Sequence, residues 1–366
     1  MFFFGSKSTK NWSNVLRDLD NLSVAVVGAT GAVGREMISV LEQRELNFKE
    51  IRLFSSARSA GEVIKVKGKD ITVEELKVEA IENIDIALFS AGSSISKEFG
   101  PVFADEGAIV IDNSSCFRMD EGVPLIVPEV NSDIVKQEIA SGSPNEGMVI
   151  ANPNCSTIQM MVVLKPILER AGIRRVVVST YQSVSGAGKQ AMDELFEQTR
   201  GIYNQNEVAP EAFPHQIAFN CIPQIDVFLE NGYTKEEMKM VNETRKILSQ
   251  PDMKITATAV RVPVFSCHSE SINIETEQPL SAEEAKQLLA ESPGVIVLDN
   301  PEKLEYPLAA ELGGSDATYV GRIREDESVQ NGLNMWVVAD NLRKGAALNA
   351  VQIAEVVIDT WGQNQQ

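Results

Sequence analysis

The stretch ANPNCSTIQMM, from Ala151 to Met161, places Cys155 between a proline-containing turn and the start of a predicted helix. At such a position the helix dipole and backbone N–H groups lower the pKa of a thiol and favour the nucleophilic thiolate. The alternative is a buried structural cysteine, because free cysteine is among the most buried residue types. This stretch alone favours the structural role, so the choice depends on what else the chain supplies.

A cysteine nucleophile usually needs a base, and the chain contains two histidines. His215 lies in the apolar stretch FPHQIAFNCIP and is interpreted as a packed side chain. His268 follows a predicted strand, seven residues after Arg261, so one strand and its turn could present both to an anionic substrate. With His268 as a candidate base, the nucleophilic and structural interpretations of Cys155 are evenly balanced.

Two further cations, Arg118 and Lys239, could contact an anion. Arg118 follows the predicted strand end VIDNSSCFR, and open α/β sheets bind ligands at the carboxyl ends of their strands. Glu236 and Lys239 lie at i and i+3 of the predicted helix TKEEMKMVNETRKIL. Spacing alone favours a solvated charged face for that helix.

Glycines at positions 28, 31 and 34 follow an apolar predicted strand and open a predicted helix in LSVAVVGATGAVGREMISVLEQ. Glycines there let the backbone approach a pyrophosphate, and the helix N-terminus favours its charge. The spacing is a variant of G-x-G-x-x-G, and the alternative is a tight turn without a ligand. The context favours a dinucleotide site.

The end of the second predicted strand indicates which dinucleotide. NAD sites usually place an acid there for the ribose 2′-hydroxyl, whereas NADP sites often place an arginine. The sequence reads FSSARSAG, with Arg58 and Ser59 and no acid until Glu62. We therefore expect NADP, the alternative for Arg58 being a solvated surface side chain.

Length and composition indicate what kind of protein carries these residues. The chain has 366 residues, enough for about two domains. Its net charge of -19 argues against nucleic-acid and membrane partners. Its four cysteines form no C-x-x-C pair, which argues against a zinc site and leaves no metal expected. We expect a cytoplasmic protein. For residues 1–20 the alternatives are a disordered extension, which is favoured, and an organellar targeting remnant.

Apolar strands alternate with helices in the first half, which predicts a parallel, doubly wound sheet. After Pro153 the pattern becomes mixed α+β with antiparallel pairing. The predicted domains are an NADP-binding domain over residues 21–152, joined by a C-terminal helix over 342–366, and a catalytic and dimerisation domain over 153–341.

Taken together, the motifs resemble the aspartate-β-semialdehyde dehydrogenase family over roughly residues 22–361. They are VAVVGATGAVG, FSSARSAG, DNSSCFRMD, NPNCSTIQM, YQSVSGAGK, RVPVFSCHSE and ADNLRKGAALNAVQIAE, in the family's order. The resemblance implies a Rossmann-type domain plus a catalytic domain of the glyceraldehyde-3-phosphate dehydrogenase type. It implies NADPH-dependent reduction of L-aspartyl-4-phosphate to aspartate-4-semialdehyde and phosphate, a step toward lysine, threonine, methionine and, in bacteria, diaminopimelate. It also implies a homodimer or homotetramer.

The resemblance also implies residue roles. Cys155 is the thioester nucleophile, His268 the acid/base and Gln182 the residue that orients the substrate. Substrate contacts are carried over to Arg261 and Glu236, phosphate contacts to Arg118 and Lys239, and NADP contacts to Gly28, Thr30, Gly31, Ala32, Val33, Arg58, Ser59, Ser185, Gly186 and Asn341. We expect a low pKa for Cys155, and we take backbone N–H groups at its helix start as a hypothetical oxyanion site.

Three residues depart from the family pattern: Cys116, Cys221 and Gln224. None is a position to which the resemblance assigns a catalytic role. Three alternatives remain open: another acyl-phosphate reductase, such as N-acetyl-γ-glutamyl-phosphate reductase, a Cys-His hydrolase, and an inactive NADP-binding regulatory module.

Overall fold

The computed structural model describes residues 18–44, 46, 48–142 and 146–364. Of the predicted N-terminal extension, residues 1–17 lie outside the described residues.

The first half contains, in chain order, β1 (Ser23–Val27), α1 (Ala32–Gln43), β2 (Glu50–Ser55), β3 (Val63–Val66), β4 (Lys69–Thr72), β5 (Glu74–Glu75), β6 (Ile86–Phe89), α2 (Ser93–Asp105), β7 (Ile109–Asp112), α3 (Pro128–Ser141) and β8 (Met148–Ala151).

The first sheet has the strand order β5-β2-β1-β6-β7-β8, and all its pairings are parallel. Its strands β1, β6 and β7 are buried at every position. A parallel sheet covered by helices on both faces needs such continuous apolar runs, which is why no alternation is visible in the sequence. The carboxyl ends of these strands meet at one edge, where open α/β sheets bind ligands.

The second half contains α4 (Cys155–Ala171), β9 (Ile173–Gln182), α5 (Lys189–Tyr203), α6 (Lys235–Ile247), β10 (Lys254–Arg261), β11 (His268–Thr276), α7 (Ala282–Ala290), β12 (Val295–Val297), β13 (Thr318–Asp326), β14 (Gly332–Ala339) and α8 (Leu348–Asn364). Its sheet has the order β10-β9-β11-β14-β13-β12. The β9/β10 and β12/β13 pairs are parallel and the other three are antiparallel, so the sheet is mixed. The predicted fold class is confirmed.

Helix α4 joins the two halves and lies in the core of the second sheet. Eleven of its residues are buried, and the eight apolar ones share a hydrophobic cluster with residues of β9, β11 and β14. Its first residue is Cys155, so the helix that carries the candidate nucleophile is fixed along its length by apolar burial.

A single π-helical turn, Arg343–Ala347, connects β14 to α8. Helix α8 returns to the first half, where Leu348, Val351 and Trp361 join the hydrophobic cluster of β1 and α1. Isolated π-turns are frequent at functional sites.

Arg343, in that turn, ties the two halves together. Its guanidinium donates to Glu36 (2.6 Å) and Gln43 (2.7 Å) on α1, and its Nε donates to Asp316 (2.8 Å). The side chain is almost fully buried. One arginine therefore connects α1, the helix that follows the glycine turn, with a loop of the second half.

Candidate active site

Cys155 is half-buried and begins α4 directly after the turn Asn152–Asn154. Asn154 caps this helix, since its Oδ1 accepts hydrogen bonds from the backbone N–H groups of Ser156 (3.1 Å) and Thr157 (3.3 Å). Two of the first-turn N–H groups are therefore occupied by the cap. The hypothesis that the helix start supplies free donors for an oxyanion is wrong for these two groups.

The environment of Cys155 favours the neutral thiol. Desolvation and the Glu236 carboxylate raise the pKa of Cys155 to about 12, and the opposing effects of Arg118, Arg261 and the Ser156 N–H are smaller. The expected low pKa is wrong for the free protein. The helix start does lower the pKa, as expected, but burial and a carboxylate from a distant part of the chain outweigh it.

His268 is fully buried at the start of β11. The backbone N–H of Ser183 donates to its Nδ1 (3.1 Å), so Nδ1 is an acceptor and the proton of the neutral ring lies on Nε2. Among the residues that the structure describes, Nε2 has no hydrogen-bond partner. Burial and the Arg261 charge lower the pKa of His268 to about 3, so the ring is neutral at physiological pH. The other histidine, His215, is exposed, and its interpretation as a packed side chain is wrong.

Glycines bring the reactive groups close together. A Cβ at Gly186 would lie 3.2 Å from Arg261 Nη1 and 3.3 Å from His268 Nε2, so the backbone of Gly186 packs closely against both side chains. A Cβ at Gly345, in the π-turn, would lie 2.8 Å from the Cβ of Cys155. No side chain fits at position 345 without displacing the thiol, although the sequence analysis did not single this glycine out.

Arg261, at the end of β10, is nearly fully buried and donates through Nη1 to the Ser183 carbonyl (2.7 Å). The ring of His268 accepts from the backbone N–H of the same serine. Strand β10 runs parallel to β9, with Arg261 opposite Gln182. Three predicted site residues therefore converge where β9, β10 and β11 reach the cavity.

Helix α6 contributes Glu236 and Lys239. Glu236 is buried; its Oε1 accepts from Asn154 Nδ2 (2.8 Å) and Gln182 Nε2 (3.3 Å), and its Oε2 from Lys239 Nζ (3.0 Å). Lys239 also pairs with Asp226 (3.1 Å). Lysine pairing and hydrogen bonds lower the pKa of Glu236 despite its burial, so it carries a negative charge. This helix face is therefore not a solvated charged face.

Sequence reasoning missed Glu243 on the same helix. Its carboxylate accepts from Arg118 Nη1 (3.0 Å) and from the backbone N–H of Asn154 (2.6 Å). Glu243 lies seven positions after Glu236, two helical turns along, and this spacing is the signal that could have found it.

The glycine turn has the geometry that close approach to a ligand requires. Gly28 has φ +86, and a Cβ at Gly34 would lie 2.2 Å from the Gly28 carbonyl oxygen. Gly31 precedes α1 and offers no capping side chain, and Thr30 Oγ1 lies 2.9 Å from Ser55 Oγ at the end of β2. Arg58 is exposed and Ser59 half-buried, just beyond the same strand.

One cavity of about 520 Å³ brings most of these groups together. Of the predicted site residues, it is lined by Cys155, Gln182, Arg261, Glu236, Arg118, Lys239, Gly31, Ala32, Val33, Ser185, Gly186 and Asn341. His268 lies behind Gly186, while Gly28, Thr30, Arg58 and Ser59 are not part of the lining. Within the described part of the chain no group of three or more His, Cys, Asp or Glu side chains is arranged to hold a metal ion.

None of the three residues that depart from the family pattern lines this cavity. Cys116 is half-buried between two lining residues, Ser115 and Arg118, and burial raises its pKa. Cys221 is exposed. Gln224 is half-buried, and its amide donates to the Asp226 carbonyl (3.3 Å).

Comparison with known proteins identifies the family. Residues 23–138 match the model of the semialdehyde dehydrogenase NAD binding domain, and residues 164–344 match that of the semialdehyde dehydrogenase dimerisation domain. The chain is 57% identical to the aspartate-semialdehyde dehydrogenase of Aquifex aeolicus over 338 residues, 92% of this chain and 97% of that protein. It is 51% identical to that of Bacillus subtilis, over 91% and 96% of the two chains.

Solved structures agree with the sequence comparison. Aspartate semialdehyde dehydrogenase II from Vibrio cholerae complexed with ASA superposes with a TM-score of 0.87 at 47% identity, over 93% of this chain and 98% of that one. The Candida albicans enzyme with NADP gives a TM-score of 0.72 at 27% identity, over 93% and 99%. The chain belongs to the aspartate-semialdehyde dehydrogenase family.

Proposed function

We propose that this protein reduces L-aspartyl-4-phosphate to L-aspartate-4-semialdehyde and phosphate with NADPH, in the biosynthesis of lysine, threonine, methionine and diaminopimelate. One observation carries the proposal: Cys155 lies in a single cavity with Arg118, Arg261 and Lys239, next to the glycine turn before α1. A thiol nucleophile, cations for a carboxylate and a phosphate, and a dinucleotide turn are together what this reaction needs.

The residues present fit NADP. The positive φ of Gly28 and the absence of room for a Cβ at Gly34 leave a backbone cradle at the N-terminus of α1, where a pyrophosphate is favoured. Arg58 is exposed beyond β2 and would meet the 2′-phosphate. When bound, NADPH supplies the hydride that reduces the acyl group.

In the first step Cys155 attacks the acyl carbon of the substrate. As the carbon–sulfur bond forms, the bond from the acyl carbon to the phosphate oxygen breaks and the thiol proton passes to the departing phosphate. The phosphate leaves toward the guanidinium of Arg118 and the ammonium of Lys239. Arg261 binds the α-carboxylate, Glu236 accepts hydrogen bonds from the α-ammonium, and Gln182 orients the acyl group. The products of this step are a thioester on Cys155 and inorganic phosphate.

In the second step the thioester carbon is reduced, and negative charge develops on its oxygen. The Nε2–H of His268 is unpaired among the described residues and is a donor for this oxygen. This hydrogen bond stabilises the thiohemiacetal in its oxyanion form. Collapse of the oxyanion re-forms the carbonyl and breaks the carbon–sulfur bond, which releases the aldehyde and leaves a thiolate. A proton from solvent, passed on by His268, restores the Cys155 thiol.

The deciding assay follows NADP reduction with aspartate semialdehyde plus phosphate. We expect a signal that requires phosphate and that a Cys155→Ser variant loses. Absence of a phosphate-dependent signal would refute the proposal, and a preference for N-acetyl-γ-glutamyl semialdehyde would favour the other acyl-phosphate reductase. Ester cleavage without nicotinamide would favour the Cys-His hydrolase.

A homodimer is proposed as the assembly. The second sheet also lines a cavity of about 660 Å³ whose walls are mainly apolar and include Tyr181, Leu308 and Trp336. The matched domain model is described as a dimerisation domain. Light scattering behind a sizing column distinguishes a dimer from a tetramer, and a monomer would refute the proposal.

The cytoplasm is the proposed location, by analogy with the bacterial relatives. In the ranges that the structure describes, no helix is both long and apolar enough to cross a membrane. Cell fractionation with activity measurements tests the location, and recovery in a membrane or secreted fraction would contradict it.

A further inference from the structure

Glu243 is a buried carboxylate that the proposed chemistry does not use. Only 1% of its surface is exposed, and it lies on α6 behind the cavity rather than in its lining. A buried carboxylate is costly unless its oxygens are paired. Both are: Oε1 accepts from Arg118 Nη1 and Oε2 from the backbone N–H of Asn154.

The first partner fixes an arginine of the phosphate site. Arg118 also donates through Nε to the Asn152 carbonyl (2.9 Å) and through Nη2 to the Asn113 carbonyl (2.9 Å). Three of its five N–H donors are therefore bound by the protein in fixed directions. The guanidinium is held as a rigid plate, and Glu243 is its only anionic partner among the ion pairs of the described residues.

The second partner fixes the nucleophile. Asn154 is the residue before Cys155, and its side chain already bonds Ser156, Thr157 and Glu236. The bond from its backbone N–H to Glu243 joins this turn to α6 a second time, beside the side-chain bond to Glu236.

We propose that Glu243 is a positioning residue that holds the phosphate-binding guanidinium of Arg118 and the turn before Cys155 in one fixed relation. The inference rests on the proposed function, because it assigns the leaving phosphate to Arg118. A carboxylate suits this task because it can accept from two donors at once, one on each oxygen. The distance between the attacking sulfur and the cation that receives the phosphate is then set by one rigid group.

The test is Glu243→Gln in the NADP-reduction assay with aspartate semialdehyde and phosphate. A glutamine side chain has one accepting oxygen and one NH₂ group. Its NH₂ group must therefore point at either Arg118 or the Asn154 N–H, both of which are donors and cannot bond to it. We expect the KM for phosphate to rise roughly 10- to 100-fold, the factor for a lost hydrogen bond to a charged group, and kcat to fall as well. The KM for aspartate semialdehyde should stay within about twofold.

Glu237→Gln is the matched control. Glu237 is buried on the same helix and both its oxygens accept backbone N–H groups, from Thr234 and Ala259, but it faces β10 instead of the cavity. We expect this variant to lose stability without a change in the KM for phosphate. An equal rise in that KM would overturn the inference, because the effect would then be general loosening of α6.

A double-mutant cycle with Arg118→Lys tests whether Glu243 acts through the guanidinium. We expect the KM for phosphate of the double variant to equal that of Arg118→Lys within about twofold, whereas multiplied effects would overturn the inference. If Glu243→Gln does not fold, Glu243→Asp carries the same test, since the shorter carboxylate can reach only one donor. An inactive parent protein would instead overturn the proposed function.

Discussion

Gly345 offers the sharpest steric test of the active site. A methyl group there would lie 2.8 Å from the Cβ and 3.3 Å from the Cα of Cys155, whereas carbon atoms in contact are normally about 3.5–4.0 Å apart. The Gly345→Ala variant must therefore separate the π-turn and the start of α4 by about 0.7 Å or more. Neither side yields easily: the Gly345 N–H donates to the Asp340 carbonyl (3.0 Å), and α4 is buried along its length.

The expected result is a large loss of activity with a moderate loss of stability. A shift approaching 1 Å at a reacting atom costs on the order of 100-fold in rate, and overpacking costs about 1–3 kcal/mol of folding free energy. The assay is kcat/KM for NADP reduction at a temperature where circular dichroism shows the variant to be folded. Activity within about twofold of the parent would refute the packing of the π-turn against the nucleophile.

Gly362→Ala provides the control. It lies in α8, where a Cβ would make an ordinary contact of 3.5 Å with Leu19. Alanine is favoured over glycine inside a helix by about 1 kcal/mol, so this variant should be equally active and slightly more stable.

Three further predictions concern charge. Arg58→Asp should shift the NADP/NAD preference, measured as the ratio of kcat/KM values, about tenfold or more toward NAD; an unchanged ratio would contradict the role of Arg58. Because the pKa of Cys155 is about 12 in the free protein, its alkylation by iodoacetamide, located by mass spectrometry, should accelerate about tenfold per pH unit without a plateau near neutral pH. Full modification should abolish activity, and a plateau near neutrality would show a low pKa. Burial raises the pKa of Glu270 well above 4.5, so its contribution to stability is complete below that pH and is lost, by up to about 1.4 kcal/mol per pH unit, as the pH rises toward the folded-state pKa. Glu270→Gln should remove this loss in urea unfolding between acidic and neutral pH, and parallel curves for the two proteins would contradict the assignment.

Features set by local sequence were predictable. The apolar strand, the glycine turn and the helix of residues 23–43 all follow from neighbouring residues. The same holds for α7, where Ser281 forms a capping box with Glu284 as its N-cap. The placement of Cys155 at a helix start was also readable, since the turn Asn152–Asn154 ends a strand and Asn154 is a good cap.

Features set by distant partners were not. Arg118 and Glu243 are 125 positions apart, so no local pattern shows that they pair. The pKa of Cys155 is raised by burial and by the charge of Glu236, and both effects come from parts of the chain that only the fold brings beside the helix start. The π-turn was also invisible, because KGAALNA has the composition of an ordinary helix start, and bonds such as that from the Ala347 N–H to the Leu342 carbonyl appear only in the structure.

The arginine that ties α1 to the π-turn has a consequence for protein engineering. Arg343 donates hydrogen bonds to Glu36 and Gln43 on α1, the helix that follows the glycine turn. Gly345, which packs against Cys155, lies two residues further along the chain. A redesign of α1 to accept a different dinucleotide would therefore shift the π-turn, and with it the backbone of Gly345 that packs against Cys155. Libraries that vary coenzyme selectivity should leave positions 36 and 43 unchanged. Substitutions there would lower kcat by moving the active site, and that loss would be mistaken for a change in coenzyme selectivity.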